Sequence, residues 1–462
     1  MMKSALLAPA LVLALAASAF AQGVSKQDSN TETVKITVSG GFDMDWVYRS
    51  KELTEVLGGS GADEGRIESN ANVRFDVDLT EKVSVLVNLA TVRLNGTYAS
   101  IGQLGAGGQN VKLWDLAVKM QEVLDPAVTI QLGTQNDFMF DVRGNGSALF
   151  FAPGKSGSFA TNAGAGSGVG LSGGDLNYNQ VAGAVVWYNR DAAHLAVALL
   201  PAIQEGGPAS NDEAAYAAML YYDLDSVGKG SRIGVILALD AVADFVPASG
   251  GGSTSQVITI GAAASLKGLG GMNNLEAFGE FYIQSGDIGV ANGKAGGSAF
   301  KLGGHYVFEQ EMAPWVEASI TVISGDKNLG NNKIDSFLSY ENVNDLMIVE
   351  SNTFGINWNS NLTAFKIMGG ASFTSGGGAA KNNIGVSAAL GFFTASEKVA
   401  VATGNKDALG TELDLKLTWQ YSKAVAFDAG LAFLFGSDIL EGITVNRDDS
   451  TNLFTLGVSG KF

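Results

Sequence analysis

The stretch VKITVSGGFDMDWVYR, residues 34–49, separates two chemistries one residue at a time. Its even positions are Val34, Ile36, Val38, Gly40, Phe42, Met44, Trp46 and Tyr48. Its odd positions are Lys35, Thr37, Ser39, Gly41, Asp43, Asp45, Val47 and Arg49, and only Val47 breaks the alternation. A period of two belongs to the β-strand, whose successive side chains point to opposite faces. At roughly 3.3 Å per residue the run covers about 50 Å, where a globular strand usually covers about 17–20 Å. One face of this long strand is apolar and the other charged.

The pattern recurs along the chain. VRFDVDL (73–79) sets Val73, Phe75, Val77 and Leu79 against Arg74, Asp76 and Asp78, and VSVLVNL (83–89) resumes in phase. Residues 275–283 set Leu275, Ala277, Gly279, Phe281 and Ile283 against Glu276, Phe278, Glu280 and Tyr282. ELDLKLTWQY (412–421) sets Leu413, Leu415, Leu417, Trp419 and Tyr421 against Asp414, Lys416, Thr418 and Gln420. Residues 425–435 continue in kind. Less regular strands fit near 111–120, 127–135, 181–189, 194–200, 214–224, 232–240, 256–266, 299–308, 315–323, 353–358, 362–373 and 384–393.

The connections sort by length. Short turns fall at 80–82, 121–126, 190–193, 225–231, 267–273, 309–314, 359–361 and 422–424. Long stretches rich in Gly, Asn, Ser and Asp lie between them, the longest at 136–179 and 324–352. No amphipathic helix of any length stands out, and beyond the first residues no segment offers the roughly 18 apolar residues a membrane helix requires. Barrel strands need only about 9–11 residues and escape such a search. The expectation is an all-β chain: a transmembrane antiparallel up-and-down β-barrel of about 18 strands, with long loops on the extracellular side and short periplasmic turns. The segment 394–410 leaves room for another pair, hence for 20.

MMKSALLAPALVLALAASAFA (1–21) has Lys3 ahead of an apolar core and ends Ala19-Phe20-Ala21, the pattern of a cleaved secretory signal. Residues 22–462 are then expected to form one barrel domain. Removing Lys3 from 29 basic residues leaves 28 against 46 acidic ones, or −18. Such an excess argues against nucleic acid, whose phosphates are bound by Lys and Arg. With no cysteine, an exported chain holds together without disulfides.

In lipid every backbone polar group must be paired, which closes the strands into a cylinder without edges. The apolar faces then meet hydrocarbon and the charged faces a wet interior. This assigns to the pore lining Lys35, Asp43, Asp45, Arg49, Arg74, Asp76, Asp78, Asp115, Lys119, Glu276, Glu280, Lys301, Glu317, Asp414 and Lys416. Nine of these are acids and six are bases, so a weak cation preference is expected. The loop 136–179 carries Phe138, Phe140, Asp141, Arg143, Phe150, Phe151 and Phe159. It either lies exposed or folds inward as a constriction, with Phe138 and Phe140 on the wall and Asp141 and Arg143 at the opening. Trp46, Trp187, Trp315, Trp358 and Trp419 fall near strand ends, as in an aromatic girdle.

No catalytic, metal or cofactor site is expected. His194 and His305 are the only histidines and lack zinc spacing. GLSGG (170–174) matches a nucleophile elbow, and Gly168, Gly170 and Gly173 a dinucleotide fingerprint, but both lie in a glycine-rich loop rather than a strand-to-helix turn. The stretch 324–332 lacks the calcium register of an EF-hand.

The C-terminus alternates Phe454, Leu456, Val458, Gly460 and Phe462. It resembles the closing strand of bacterial outer-membrane proteins, where a terminal aromatic is part of the signal read by the barrel-assembly machinery. That resemblance implies a bacterial outer membrane, its lipid and that machinery as partners. VTIQLGTQNDFMFDVRG (128–144) and LGTELDLKLTWQYSKAVAFDAGLAFLFGSD (409–438) resemble segments of alginate-export-type porins, with Thr134 where that group has Arg. This resemblance implies a water-filled channel for small hydrophilic solutes or ions. Its alternative is a dedicated polysaccharide conduit, and monomer and homo-oligomer both stay open.

Overall fold

The computed structural model describes residues 34–56, 63–91, 111–134, 140–144, 149, 182–201, 214–242, 255–287, 294–327, 333–337, 345–351, 354–356, 358, 360–375, 382–444 and 448–462. One antiparallel sheet dominates. Of its 20 strands, Lys294–Ala295 and Lys333–Ile334 are two-residue segments paired in parallel between loops. The remaining 18 (20 less these two) are β1 Lys35–Arg49, β2 Glu64–Asp78, β3 Val83–Thr91, β4 Val111–Gln121, β5 Val128–Thr134, β6 Ala182–Arg190, β7 Ala193–Pro201, β8 Ala214–Asp223, β9 Arg232–Val242, β10 Ser255–Lys267, β11 Leu275–Asp287, β12 Ser298–Val307, β13 Trp315–Ile323, β14 Leu362–Ser375, β15 Asn382–Val401, β16 Gly404–Gln420, β17 Val425–Phe435 and β18 Thr451–Lys461. Each pairs with its sequence neighbour, and β1 pairs with β18 from Gly41↔Lys461 to Arg49↔Leu453. The result is a closed up-and-down β-barrel of 18 strands.

Closure satisfies the backbone without an edge. At the seam the amide of Gly40 donates to the carbonyl of Phe462 (3.2 Å), and the amide of Phe462 returns the bond (3.1 Å). Phe42 lies over Gly460 and Phe462 over Gly40, and a Cβ at either glycine would collide with the ring above it. Phe454, Leu456 and Val458 stand opposite Tyr48, Trp46 and Met44 on the outer face.

The outward face is apolar over most of the circumference. Val235 is 51% exposed, Leu237 53%, Ile260 52%, Phe281 52% and Leu302 59%, all on neighbouring strands. Contiguous apolar exposure on this scale exceeds the few hundred Å² found on soluble monomers and suits hydrocarbon.

Three expectations are corrected. The described residues of the expected strand 353–358 (354–356 and 358) form no strand, and those of the expected turn 359–361 (360 and 361) join no hairpin: β13 pairs directly with β14, and Ile356 and Trp358 are buried. Their apolar side chains pack inside the barrel rather than against lipid. The segment 394–410 adds no pair. It lengthens the β15–β16 hairpin, with register shifts at Phe393/Thr394 and Thr394/Val399 opposite Gly410, whose φ of 110° only glycine readily adopts. The girdle is partial. Trp46 and Trp419 face outward, but Trp187 and Trp315 share the inward face with Val185 and Glu317, and Trp358 lies in the loop. Period two alone does not say which side of the sheet is wet.

Candidate functional site

The inner wall carries the charges, and two loop segments dock on it. Cross-strand register puts Lys35, Asp43, Asp45 and Arg49 on the same face as Asp78 and Arg74, with Asp76 between those two along β2. Lys119 shares that face through Ser84. Asp115 stands opposite Asn88 in register. Glu276, Glu280, Lys301, Glu317, Asp414 and Lys416 also turn inward, since their strand neighbours Phe281, Leu302, Val316 and Leu415 are exposed outside. Arg49, Glu280, Lys301, Glu317 and Asp414 are buried, however, because loops cover them.

The first docked segment comes from the β5–β6 connection. Phe140 is fully buried, stacked on Tyr221 (5.4 Å between centroids) and edge-on to Tyr282 (6.2 Å). The Asp141 amide donates to the Tyr221 hydroxyl (3.1 Å), and the Asp141 carboxylate accepts from the amides of Arg143 and Gly144, both at 2.9 Å. This turn aims the guanidinium of Arg143 between two glutamates. Its Nη2 donates to Glu276 Oε2 (3.1 Å) and Glu317 Oε2 (2.9 Å), and its plane lies 3.6 Å from the Phe278 ring centre. Forked charge-assisted bonds and a cation–π contact make this a strong anchor. Farther along, the Leu149 amide donates to Glu280 (2.9 Å), which also accepts from the Tyr282 hydroxyl (2.7 Å). Phe138, Phe150, Phe151, Phe159 and the GLSGG run lie outside the described residues.

The second segment, from the β13–β14 loop, reverses the charge pattern. Asp345 and Glu350 sit on wall lysines: Lys366 Nζ donates to Asp345 and to Glu350 Oε1 (2.9 Å), and Lys301 Nζ lies 3.6 Å from Asp345. Burial works against the Asp345 charge, but Lys301 and Lys366 outweigh it and hold this carboxyl well below its ordinary range. Backbone amides do the rest. Met347 donates to Asp414 (2.8 Å), while Ile348 and Val349 donate to the two oxygens of Glu412 (2.6 and 2.8 Å). Leu346, Ile348 and Val349 are thereby fully buried inside the barrel. Arg49 secures the segment's far end through Nε to the Phe354 carbonyl (2.9 Å).

Sequence reasoning missed Lys366, Glu412, Asp345 and Glu350. Lys366 was detectable, since it alternates with Phe365 and Ile367 and shares the face of Ala364 and Met368. Asp345 and Glu350 carried no local signal. The histidines have ordinary partners: His194 bonds Asn189 and Asp223, and His305 stacks on Trp315 beside Glu317. Among the described residues no group of three His, Cys, Asp or Glu could hold a metal ion.

No protein-family model matches the chain, and no curated protein matches it. Solved structures do. OccAB2 of Acinetobacter baumannii is 10% identical with a TM-score of 0.53, covering 93% of this chain and 98% of that one. OccK11 (OpdR) of Pseudomonas aeruginosa is 11% identical with a TM-score of 0.52, covering 94% and 99%. The outer membrane protein OpdK of Pseudomonas aeruginosa is 10% identical with a TM-score of 0.51, covering 92% and 99%. At such identities the likeness establishes the fold: this chain shares its closed barrel with solved bacterial barrels, the outer membrane protein OpdK among them.

Proposed function

We propose that the chain is an outer-membrane channel through which small hydrophilic solutes and ions diffuse, with a weak preference for cations. The observation that carries this reading is the pairing of an apolar exterior with a charged interior in a closed 18-strand cylinder. Barrels of about 16–18 strands are wide enough to leave an aqueous passage. The docked segments narrow that passage, with Phe140 and Arg143 on one wall sector and residues 345–350 on the next.

Selectivity follows from the balance of charge along the wall. Arg143 is matched by Glu276 and Glu317, and Lys366 by Asp345 and Glu350. On β1 and β2 the four acids Asp43, Asp45, Asp76 and Asp78 share a face with three bases, Lys35, Arg49 and Arg74, of which Arg74 pairs with Asp76; this small acid excess supports a weak cation preference. Lys301 and Lys366, two basic groups an anionic polysaccharide would track, are engaged by loop carboxylates, so diffusion of small solutes is the better-supported reading. Planar-bilayer recordings test both parts. Stepwise conductance is expected, with a reversal potential of modest cation sign under a salt gradient; silence would remove the channel, and anion selectivity the preference.

A further inference from the structure

One strand, β11, carries seats for both docked segments. Its inner face runs Glu276, Phe278, Glu280 and Tyr282, and the last three are buried. The Tyr282 ring meets a ring from each loop: Phe140 of the first lies edge-on at 6.2 Å, and Phe337 of the β13–β14 connection lies at 6.0 Å. Phe337 is itself buried, and its carbonyl accepts from the Ser360 hydroxyl (3.3 Å). Phe278 is shared in the same way by two cations. The Arg143 guanidinium lies 3.6 Å from its ring centre, and the Lys301 ammonium, which faces Asp345 of the second segment, lies 6.0 Å from it. We propose that Phe278 and Tyr282 are positioning residues that tie the two segments together, so that the aperture between them opens in one step; the proposal rests on the channel reading for what that aperture admits.

Charge runs along the same route as the rings. Lys301 stands directly opposite Glu280 in register, where facing Cβ atoms lie about 4.5–5.5 Å apart. Glu280 accepts from the Leu149 amide of the first segment (2.9 Å) and from the Tyr282 hydroxyl (2.7 Å). Lys301 Nζ lies 3.6 Å from Asp345 of the second. The line Asp345, Lys301, Glu280, Leu149 thus crosses the wall from one segment to the other. When Asp345 leaves, the buried Lys301 ammonium turns to Glu280 and competes with the Leu149 amide for its oxygens. When Phe140 leaves, Tyr282 loses one of the rings that hold it against Phe337. Close-packed interiors move between discrete arrangements rather than deforming smoothly. Two independent segments would give four combinations of docked and released; mutual support depletes the two mixed ones.

The chain has no cysteine, so a single one reports on each segment: Val142→Cys on the first and Ser351→Cys on the second, both positions being buried when docked. Arg143→Lys loosens the first segment and Lys366→Met the second. In barrels whose heat-modifiable migration is intact, Lys366→Met is expected to raise maleimide labelling at position 142 by about fivefold or more, and Arg143→Lys to do the same at position 351. Tyr282→Leu, measured against its own background, is expected to shrink both cross-responses below about twofold, whereas Tyr282→Phe, which keeps the ring, preserves them. A merely structural Tyr282 would raise labelling at both positions and leave the cross-responses intact. Where a loosening variant fails to fold, the two reporter chains decide alone: in urea that leaves the barrel folded, labelling at both positions is expected to rise at one midpoint. Separate midpoints, or cross-responses below about twofold with Tyr282 in place, overturn the proposal. Labelling needs no conductance, so silent bilayers sink only the channel reading, and separate release sinks only the tie between the segments.

Discussion

Lys366 shows what a single side chain does to this inner wall. It is fully buried on β14, and its ammonium is met by Asp345 and Glu350 of the connection that precedes this strand. Lys366→Met would leave both carboxylates without their main counter-charge. Removing one partner of a buried ionic group costs about 3–5 kcal/mol, so the urea midpoint in vesicles is expected to fall and the loop to become protease-accessible. Arg143 behaves similarly on the neighbouring sector. Arg143→Lys keeps the charge but loses the fork that serves Glu276 and Glu317 and the plane that stacks on Phe278. A loss of about 1.5–3 kcal/mol in loop docking is expected, read as larger and noisier single-channel currents.

At the scale of elements, the two docked segments follow opposite rules. The β5–β6 segment brings a cation to wall glutamates, and the β13–β14 segment brings carboxylates to wall lysines and amides to wall acids. Asp345 ties the second segment to pH. Its folded-state pKa lies below the ordinary value of 3.8, so ionisation stabilises docking above that value and the benefit fades as pH falls beneath it. Lys301, Lys366 and the carbonyl-bound Lys416 face this carboxyl, with Glu350 as the second acid in the cluster. Channel opening is therefore expected to rise below about pH 4, and Asp345→Asn to show the open behaviour already at neutral pH; identical acid responses in both would refute the latch. The seam offers a different test. Gly40→Val would push Phe462 off its seat and clash with the Asn72 carbonyl, so a smaller heat-modifiable fraction after refolding is expected.

For the whole molecule, solvent decides stability. The outer belt is complementary to hydrocarbon, and Ile260→Arg places a charge there. Near the bilayer midplane such a substitution costs about 2–4 kcal/mol, whereas Ser84→Arg, on the face shared with Asp78 and Lys119, is expected to be close to neutral in the same vesicle-unfolding assay. Much of this architecture was legible in the sequence because a barrel is built from local alternation: β1, β11, β16 and β18 declare in consecutive residues both their strands and which side chains share a face. Residues 353–358 misled for the same reason, since a short apolar run reads alike whether it meets lipid or the inside of a barrel.

The sequence by itself determined that the chain makes strands and which residues of each strand share a face, because those properties depend on neighbours one or two positions away; that 18 rather than 20 close the cylinder was settled by the pairing. Only the tertiary structure decided where the loops go. Arg143 finds Glu317 across 174 positions and Val349 finds Glu412 across 63, and no local pattern encodes which charges end up facing one another. Those pairings fix which wall charges remain free for a solute, which is why the passage's chemistry, unlike its cylinder, could not be read from the alternation alone.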